Sequence, residues 1–421
     1  MTTTDSYDVI VIGGGPAGST AAALLAEKGR RVVLFEKEKF PRYHIGESLM
    51  PYCWFPLERL GVLDEIEKIA FTKKQSVQFV TQDGRQSQPF YFFQHFDHPC
   101  STSWQVERAD FDLMLLNNAR KNGAEVHEQT KVSRVLKDDS GRVIGVEVMP
   151  SQGGGKREVF APITIDCSGR EQVATAQDGW RIKDPYLNKI AVWTYYRGAK
   201  RDPGIDEGST TVAYVPDRGW FWYIPMRGDL VSVGVVAEKD YLFSEGKDPA
   251  AIMAREIEKN VWIKDHLSTG TQTGEYRVTS EFTYRSKYCA ADGLVLAGDA
   301  FAFLDPVFSS GVLLALKSGE LAADEVDAAL TVGDTSAARF ADYGEALCLA
   351  MENMRRLVYA FYDTDFSFGQ MLKSYPEQKG HLTDCLIGDL FQEKYGKLFG
   401  AIQEFAELPE PLPHGRVPVA V

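Results

Sequence analysis

Three glycines and a carboxylate are the first residues whose types and spacing imply chemistry: Gly13-x-Gly15-x-x-Gly18, followed by Glu36. The first glycine permits a tight turn, the second lets backbone approach a pyrophosphate, and the third lets a helix pack closely on a strand. Pro16 and Ala17 complete the turn, and Glu36, with Lys37 beside it, stands where a carboxylate can accept hydrogen bonds from adenosine ribose hydroxyls. A second polar group follows in the loop 40–51, where Arg42, His44, Glu47 and Ser48 are crowded between prolines and glycine. That density predicts contact with a bound cofactor; a surface connection is the plain alternative.

Three further groups could act on a substrate. Lys73 and Lys74 are adjacent in a strand-like segment, so alternation sends them to opposite faces and allows one ammonium to point inward. A solvated pair on a strand edge is the alternative. Trp220 and Trp222 share one face by the same period, either as bulk dividing a substrate pocket from a cofactor or as core packing. Pro306-Val307-Phe308-Ser309-Ser310-Gly311 precedes a helix whose N-terminal N–H groups can bind an anion. Capping by Ser309 or Ser310 is compatible with that role.

These side chains need a frame. Residues 9–12 read as a buried parallel strand, 19–26 as a helix and 31–35 as a second strand ending at Glu36, which is the order of a Rossmann dinucleotide site. Further strands are predicted at 125–127, at 132–136 with 143–148 across the turn 138–141, at 161–166, and at 294–297 running into Gly298-Asp299. Arg108 stands at the start of an amphipathic helix with Phe111, Met114 and Leu115 facing in. From about 190 to 290 aromatic and β-branched residues alternate between turns, the texture of an antiparallel sheet whose aromatics suit a pocket wall. A helix from Gly311 to about Leu330 and charged, aromatic helices beyond 335 follow. The proline-rich end (Pro409, Pro411, Pro413, Pro418) is expected to be loose.

Composition narrows the possibilities. A chain of 421 residues, 44% hydrophobic and 25% charged, has room for two or three globular domains. A net charge of −13 argues against nucleic acid or an anionic membrane as partner. No apolar run reaches the ~18 residues of a membrane span, and no basic, then apolar leader precedes Tyr7, so a cytoplasmic protein without membrane insertion is expected. The six cysteines form no C-x-x-C, and His95, His98 and Cys100 lie in an aromatic stretch that reads as a wall, so no metal site is expected.

The glycine motif with Glu36, followed by F-P-R-x-x-x-G-E-S ending at Ser48, resembles the p-hydroxybenzoate-hydroxylase-like flavoproteins. Within them it is similar to the branch of flavin-dependent halogenases and geranylgeranyl reductases. The segment 71–81 resembles the halogenase F-x-x-K-x-G-x-x-F-x-W, with the lysine at Lys74, Ser76 in place of the glycine and Thr81 in place of the tryptophan. Residues 220–225 match W-x-W-x-I-P in full, and 303–311 match F-x-x-P-x-x-S-x-G in full. The resemblance implies FAD as cofactor, Arg108 near the flavin, Asp299 on its ribityl or pyrophosphate side, and Pro306, Ser310 and Gly311 beside it or the halide.

It further implies FADH2-, O2- and halide-dependent halogenation of a small electron-rich aromatic, phenolic or pyrrolic, free or carrier-bound. Hypohalous acid, made from halide and a flavin hydroperoxide, would be relayed by Lys74, with Trp220, Trp222 and Ser309 in the same machinery. A lysine suits that task because its ammonium offers three donors and its pKa falls on burial. The 306–311 loop lacks the glutamate of the tryptophan-halogenase form, which argues against free tryptophan. With no second dinucleotide motif, a separate flavin reductase is expected. The alternatives are an aromatic hydroxylase using NAD(P)H and an isoprenoid reductase. The implied fold is α/β: a glutathione-reductase-like, Rossmann-like FAD domain (1–80, 100–180 and 288–330), an antiparallel substrate domain (81–99 and 181–287) and a helical C-terminal region (331–421).

Overall fold

A computed structural model describes residues 7–151, 153, 155–215 and 219–418, with the side chains of 281 and 282 excepted. The run Val9–Ile12 is fully buried, as a strand flanked on both sides must be, and it pairs in parallel with Val32–Phe35 and with Ile163–Asp166. Leu294–Leu296 and Glu125–His127 extend this sheet in parallel, and Ala290–Ala291 adds an antiparallel edge, making six strands. The helix Pro16–Glu27 packs on it, and the long helix Gly311–Val332 packs on that helix at glycine contact: a Cβ at Gly319 would lie 2.3 Å from the Ala17 carbonyl oxygen. Strands Thr130–Lys137, Val143–Pro150 and Arg157–Phe160 form a small antiparallel sheet beside it, as the turn at 138–141 predicts for the first two.

The aromatic, β-branched region forms one eight-stranded sheet. Its order runs Ala302–Phe303, Thr271–Ser286, Arg181–Arg197, Leu230–Glu238, Gly219–Pro225, Thr210–Val215, Ser76–Val80 and Phe90–Tyr91. All pairings are antiparallel except one, where Thr210–Val215 runs parallel to Ser76–Val80. The expected boundary falls at residue 80, and Ser76–Val80 already belongs to this large sheet. Thr72–Lys74 pairs instead with Ser103–Gln105 in a separate two-stranded ladder, so the chain crosses between sheets at Gln75.

Helices Ala341–Tyr362, Phe368–Ser374, Lys379–Ile387 and Gly396–Gln403 form the C-terminal region. The proline-rich end is not loose. Arg355 donates to the Glu410 carbonyl at 2.5 Å, Arg285 to that of Leu412 at 2.8 Å, and Gly415 N–H to that of Lys287 at 2.9 Å. Proline's missing N–H precludes a ladder there, but cationic side chains from the body satisfy the tail's carbonyls instead. No helix among the described residues is long and apolar enough to cross a membrane.

Candidate active site

A cavity of about 810 Å³ runs from the glycine turn to the aromatic face of the large sheet. Gly13, Gly15, Pro16 and Ala17 line one end. Gly13 has φ +96°, and a Cβ there would come 2.5 Å from the Cys167 carbonyl oxygen, so only glycine fits. Gly18 lies behind the lining, where a Cβ would meet the Gly13 oxygen at 2.0 Å. Glu36 is buried, and its two oxygens accept from the backbone N–H groups of Gly14 (2.7 Å) and Glu38 (2.8 Å). The backbone thus aims the carboxylate along the cavity wall. Lys37 is exposed and ion-paired with Glu171.

Arg42 and Arg108 converge on one buried acid that the motif search passed over. Arg108 binds Asp112 through two parallel bonds of 2.7 and 2.9 Å, and Arg42 stands 3.0 Å from the same carboxylate. The i,i+4 spacing of Arg108 and Asp112 is the signal that could have found it. Arg108 also donates to the Ile45 carbonyl at 2.7 Å. It lines the cavity, yet its donors are taken up by Asp112 and the loop, so it holds Ile45–Ser48 in place. In that loop Glu47 is buried, accepts from the Tyr195 hydroxyl at 2.6 Å, and leaves Oε2 without a partner. Burial pushes Glu47 up to about 7.

Asp299 lies on the turn Gly298–Ala300 after the strand Leu294–Leu296 and lines the same cavity, where burial pushes it up to about 6. Pro306, Ser309 and Gly311 also line it. Ser309 sits at φ +58°, and Ser310, buried at the helix start, makes no side-chain cap. The capping alternative is therefore not realised, and the first N–H groups of Gly311–Val332 stay available to an anionic group. A glycine cradle, a backbone-oriented ribose acceptor, an orphaned buried oxygen and an uncapped helix start together suit FAD. Glu36 would hold its ribose, Gly13–Ala17 and Asp299 its pyrophosphate side, and the loop 306–311 its ring edge.

Lys74 does not line this cavity. It is 2% exposed, on the short strand Thr72–Lys74, whereas Lys73 points outward to an exposed ion pair with Glu67 at 2.9 Å. The Lys74 ammonium donates to Ser48 Oγ (3.0 Å) and to the Leu49 carbonyl (3.2 Å), and lies 5.6 Å from the centre of the Phe92 ring. Desolvation lowers it to about 7. It opens onto a second chamber of about 30 Å³, walled by Phe79, Phe90, Phe92, Phe308 and Leu386. Thr210, Val212, Val307 and Ser309 line both chambers and form the partition. A polar thread crosses it: Lys74 to Ser48, Ser48 to Thr210 Oγ1 at 2.8 Å, and Gln105 to Thr210 at 2.8 Å.

Trp220 and Trp222 both face the large cavity, their ring centres 6.2 Å apart, and Trp193 lies 6.2 Å from Trp222. Trp222 donates to Ser232 Oγ at 3.1 Å, and Trp193 to the Tyr43 hydroxyl at 2.6 Å. Gly234 makes room for them, since a Cβ there would be 2.3 Å from the Trp222 ring. Ser76 and Thr81, the two departures from the halogenase pattern, differ in setting. Ser76 is buried and bonded to Ser209 at 2.5 Å, while Thr81 is exposed in a turn. Among the aromatic-stretch residues, His95 pairs with Asp384 at 2.7 Å and His98 accepts from the Cys100 N–H.

The arrangement is that of an FAD enzyme with a partitioned reaction space. The tryptophan halogenase family matches residues 8–101 and 94–385, and the chain belongs to this family of flavin-dependent halogenases. It is 29% identical over 420 residues (94% of this chain, 92% of the relative) to the 1H-pyrrole-2-carbonyl-(peptidyl-carrier protein) chlorinase of Pseudomonas fluorescens. It is 33% identical over 332 residues (78% and 79%) to the corresponding brominase of Pseudoalteromonas luteoviolacea. Its fold is similar to that of the flavin-dependent brominase Bmp2, with a TM-score of 0.86 at 28% identity over 95% of this chain and 98% of that one. The protein is thus an FAD-dependent oxidoreductase that halogenates an electron-rich aromatic with reduced flavin and O2, rather than a hydroxylase or an isoprenoid reductase.

Proposed function

We propose that the substrate is a pyrrole ring carried on the arm of a carrier protein, and that Lys74 orients hypohalous acid against it. The observation carrying this reading is the chamber beside Lys74. Among the described residues that line it, Lys74 is the one charged group, and the rest are apolar save Thr210 and Ser309. Such a wall offers Lys74 to a carboxylate but has nothing to pair the ammonium of a free amino acid, and leaving that ammonium buried and unpaired would cost several kcal/mol. An uncharged ring tethered from outside suits it, in line with the two pyrrole-acting relatives. As it stands the chamber has room for about two waters, so Phe90, Phe92 or Leu386 must move to admit the ring.

Bound FAD, once reduced by a separate flavin reductase, would supply the two electrons that bring O2 to the peroxide level at which it oxidises halide to hypohalous acid. The chain's residues do the rest. Trp220 and Trp222 keep the substrate ring from the flavin cavity, and the partition at Thr210 and Ser309 lets only a small oxidant pass. The Lys74 ammonium donates a hydrogen bond to the oxygen of that oxidant, making the halogen electrophilic; as the ring carbon–halogen bond forms the oxygen–halogen bond breaks, and the departing hydroxide takes up the ring proton to leave as water. By role, 7–75, 100–180 and 288–330 hold the flavin, 76–99 and 181–287 carry the substrate wall, and 331–418 brace both.

Mass spectrometry of a pyrrolyl-carrier thioester, free pyrrole-2-carboxylate and free tryptophan, each with reductase-supplied FADH2, O2 and bromide, tests the reading. Bromine on the carrier-bound pyrrole is expected. Bromination of tryptophan alone, or oxygen in place of bromine, would overturn it.

A further inference from the structure

Two groups on the large-cavity side of the partition are far apart in sequence, Trp220 in the large sheet and the turn Pro306–Phe308, which carries the partition residue Val307, before the long helix. One hydroxyl from a third element joins them. Tyr362 is the last residue of the helix Ala341–Tyr362 and is buried. Trp220 Nε1–H donates to Tyr362 Oη at 2.8 Å, and Tyr362 Oη–H donates to Asp305 Oδ2 at 2.9 Å. The other carboxylate oxygen, Asp305 Oδ1, accepts from the Val307 N–H at 3.1 Å, and the Asp305 N–H donates to Thr283 Oγ1 at 3.0 Å. Each polar atom in this run is satisfied once, and the direction of every bond is set: the indole can only donate, the carboxylate can only accept. The Lys189 ammonium lies 4.3 Å from the Tyr362 ring centre and covers its other side.

We propose that Tyr362 is a positioning residue for the halogenation reaction: it locks the Trp220 ring and the 305–309 turn to each other, and so sets the gap through which hypohalous acid, but not substrate, crosses. The proposal rests on the partitioned-chamber reading above. Its physical content is that two wall elements without a shared backbone are held by one bridging hydroxyl. Removing that hydroxyl frees both, because Trp220 Nε1 and Asp305 Oδ2 are each left buried and unpaired. Neither Trp220 nor Asp305 is adjacent to Tyr362 in sequence, and no motif contains it.

Tyr362→Phe keeps the ring and removes the bridge. With reductase-supplied FADH2, O2 and bromide, oxidised halogen that escapes is trapped by monochlorodimedone, and halogenated pyrrole or phenol probe is counted in parallel. The expected result is FAD binding within twofold of the parent, at least a fivefold fall in halogenated probe per O2 consumed, and a matching rise in trapped halogen or free peroxide. Trp220→Phe should shift the partition in the same direction. The double variant should be no worse than the worse single one, because Tyr362→Phe already releases the tryptophan together with the turn. An unchanged partition in either single variant, or losses that multiply in the double, would overturn the proposal.

A second readout uses the cofactor-free protein. The near-ultraviolet circular-dichroism band that Trp220→Phe removes should also be lost in Tyr362→Phe, and its retention would overturn the proposal. If the parent halogenates no probe at all, the functional reading fails, while the dichroism comparison still decides whether Tyr362 orients Trp220.

Discussion

The two chambers differ in size and in how the chain assembles them. The large cavity, about 810 Å³, begins in a contiguous run from Gly13 to Glu36, where glycines, helix start and carboxylate follow one another along a single βαβ unit. The Lys74 chamber, about 30 Å³, draws its walls from residues near 74–79, 90–92, 210–212, 307–309 and 386. The glycine end of the first offers backbone N–H groups to a large anionic ligand, and that end can be specified locally. The second is an apolar gap between layers that exists only after the large sheet and the C-terminal helices have packed. A local site tolerates changes elsewhere in the fold, whereas an assembled one depends on several distant contacts at once.

The sharpest way to break this comparison is at the one cation the small chamber holds. Lys74→Met keeps the apolar stem and removes the donor, so halogenation should fall by at least ~10²-fold while FAD binding in the other chamber is retained. Lys73→Met, on the opposite face, should match the parent. Product quantification together with flavin titration checks both, and equal losses in the two variants would undo the assignment of Lys74.

At the large cavity the effects should be on binding rather than on chemistry. Glu36→Ala removes the acceptor that two backbone N–H groups orient, and should weaken FAD by about 1–3 kcal/mol with little change in the Lys74 chamber. Asp299→Ala should purify with little bound flavin. Fluorescence titration of FAD into the cofactor-free variants measures both, and full retention by the pair would show that neither carboxylate contacts the cofactor.

Taken per pH unit, the smallest effect distinguishes the chambers by proton linkage. Burial lowers Lys74 to about 7 from the ordinary 10.5. Between those values the unfolded chain binds a proton that the folded chain does not, so stability rises with pH. Relative to Lys74→Met, the parent should be least stable below pH 7 and gain up to about 1.4 kcal/mol per pH unit on the way to 10.5. Chemical denaturation of the cofactor-free proteins at pH 7, 8 and 9 reads the slope. A flat difference would mean that the ammonium is solvated and not sealed in the chamber.

Residues 9–36 were legible because everything they need is local. The continuous apolar runs, glycine geometry and the acid at the strand end are properties of neighbours in sequence, and the large sheet's period-two alternation is likewise a property of each strand. The opposite facing of Lys73 and Lys74 followed from the same period. What tertiary structure alone decided was which distant groups meet. Arg42 on Asp112, Tyr195 on Glu47, Ser48 under Lys74 and against Thr210, and Tyr362 bridging Trp220 to Asp305 are pairings between elements separated by up to 162 residues, the span from Ser48 to Thr210. The parallel docking of Ser76–Val80 against Thr210–Val215 and the pinning of the proline-rich tail belong with them. A hydrogen bond leaves no periodic trace in a sequence when its partners lie on different elements, because its geometry exists only once both have packed on a common core.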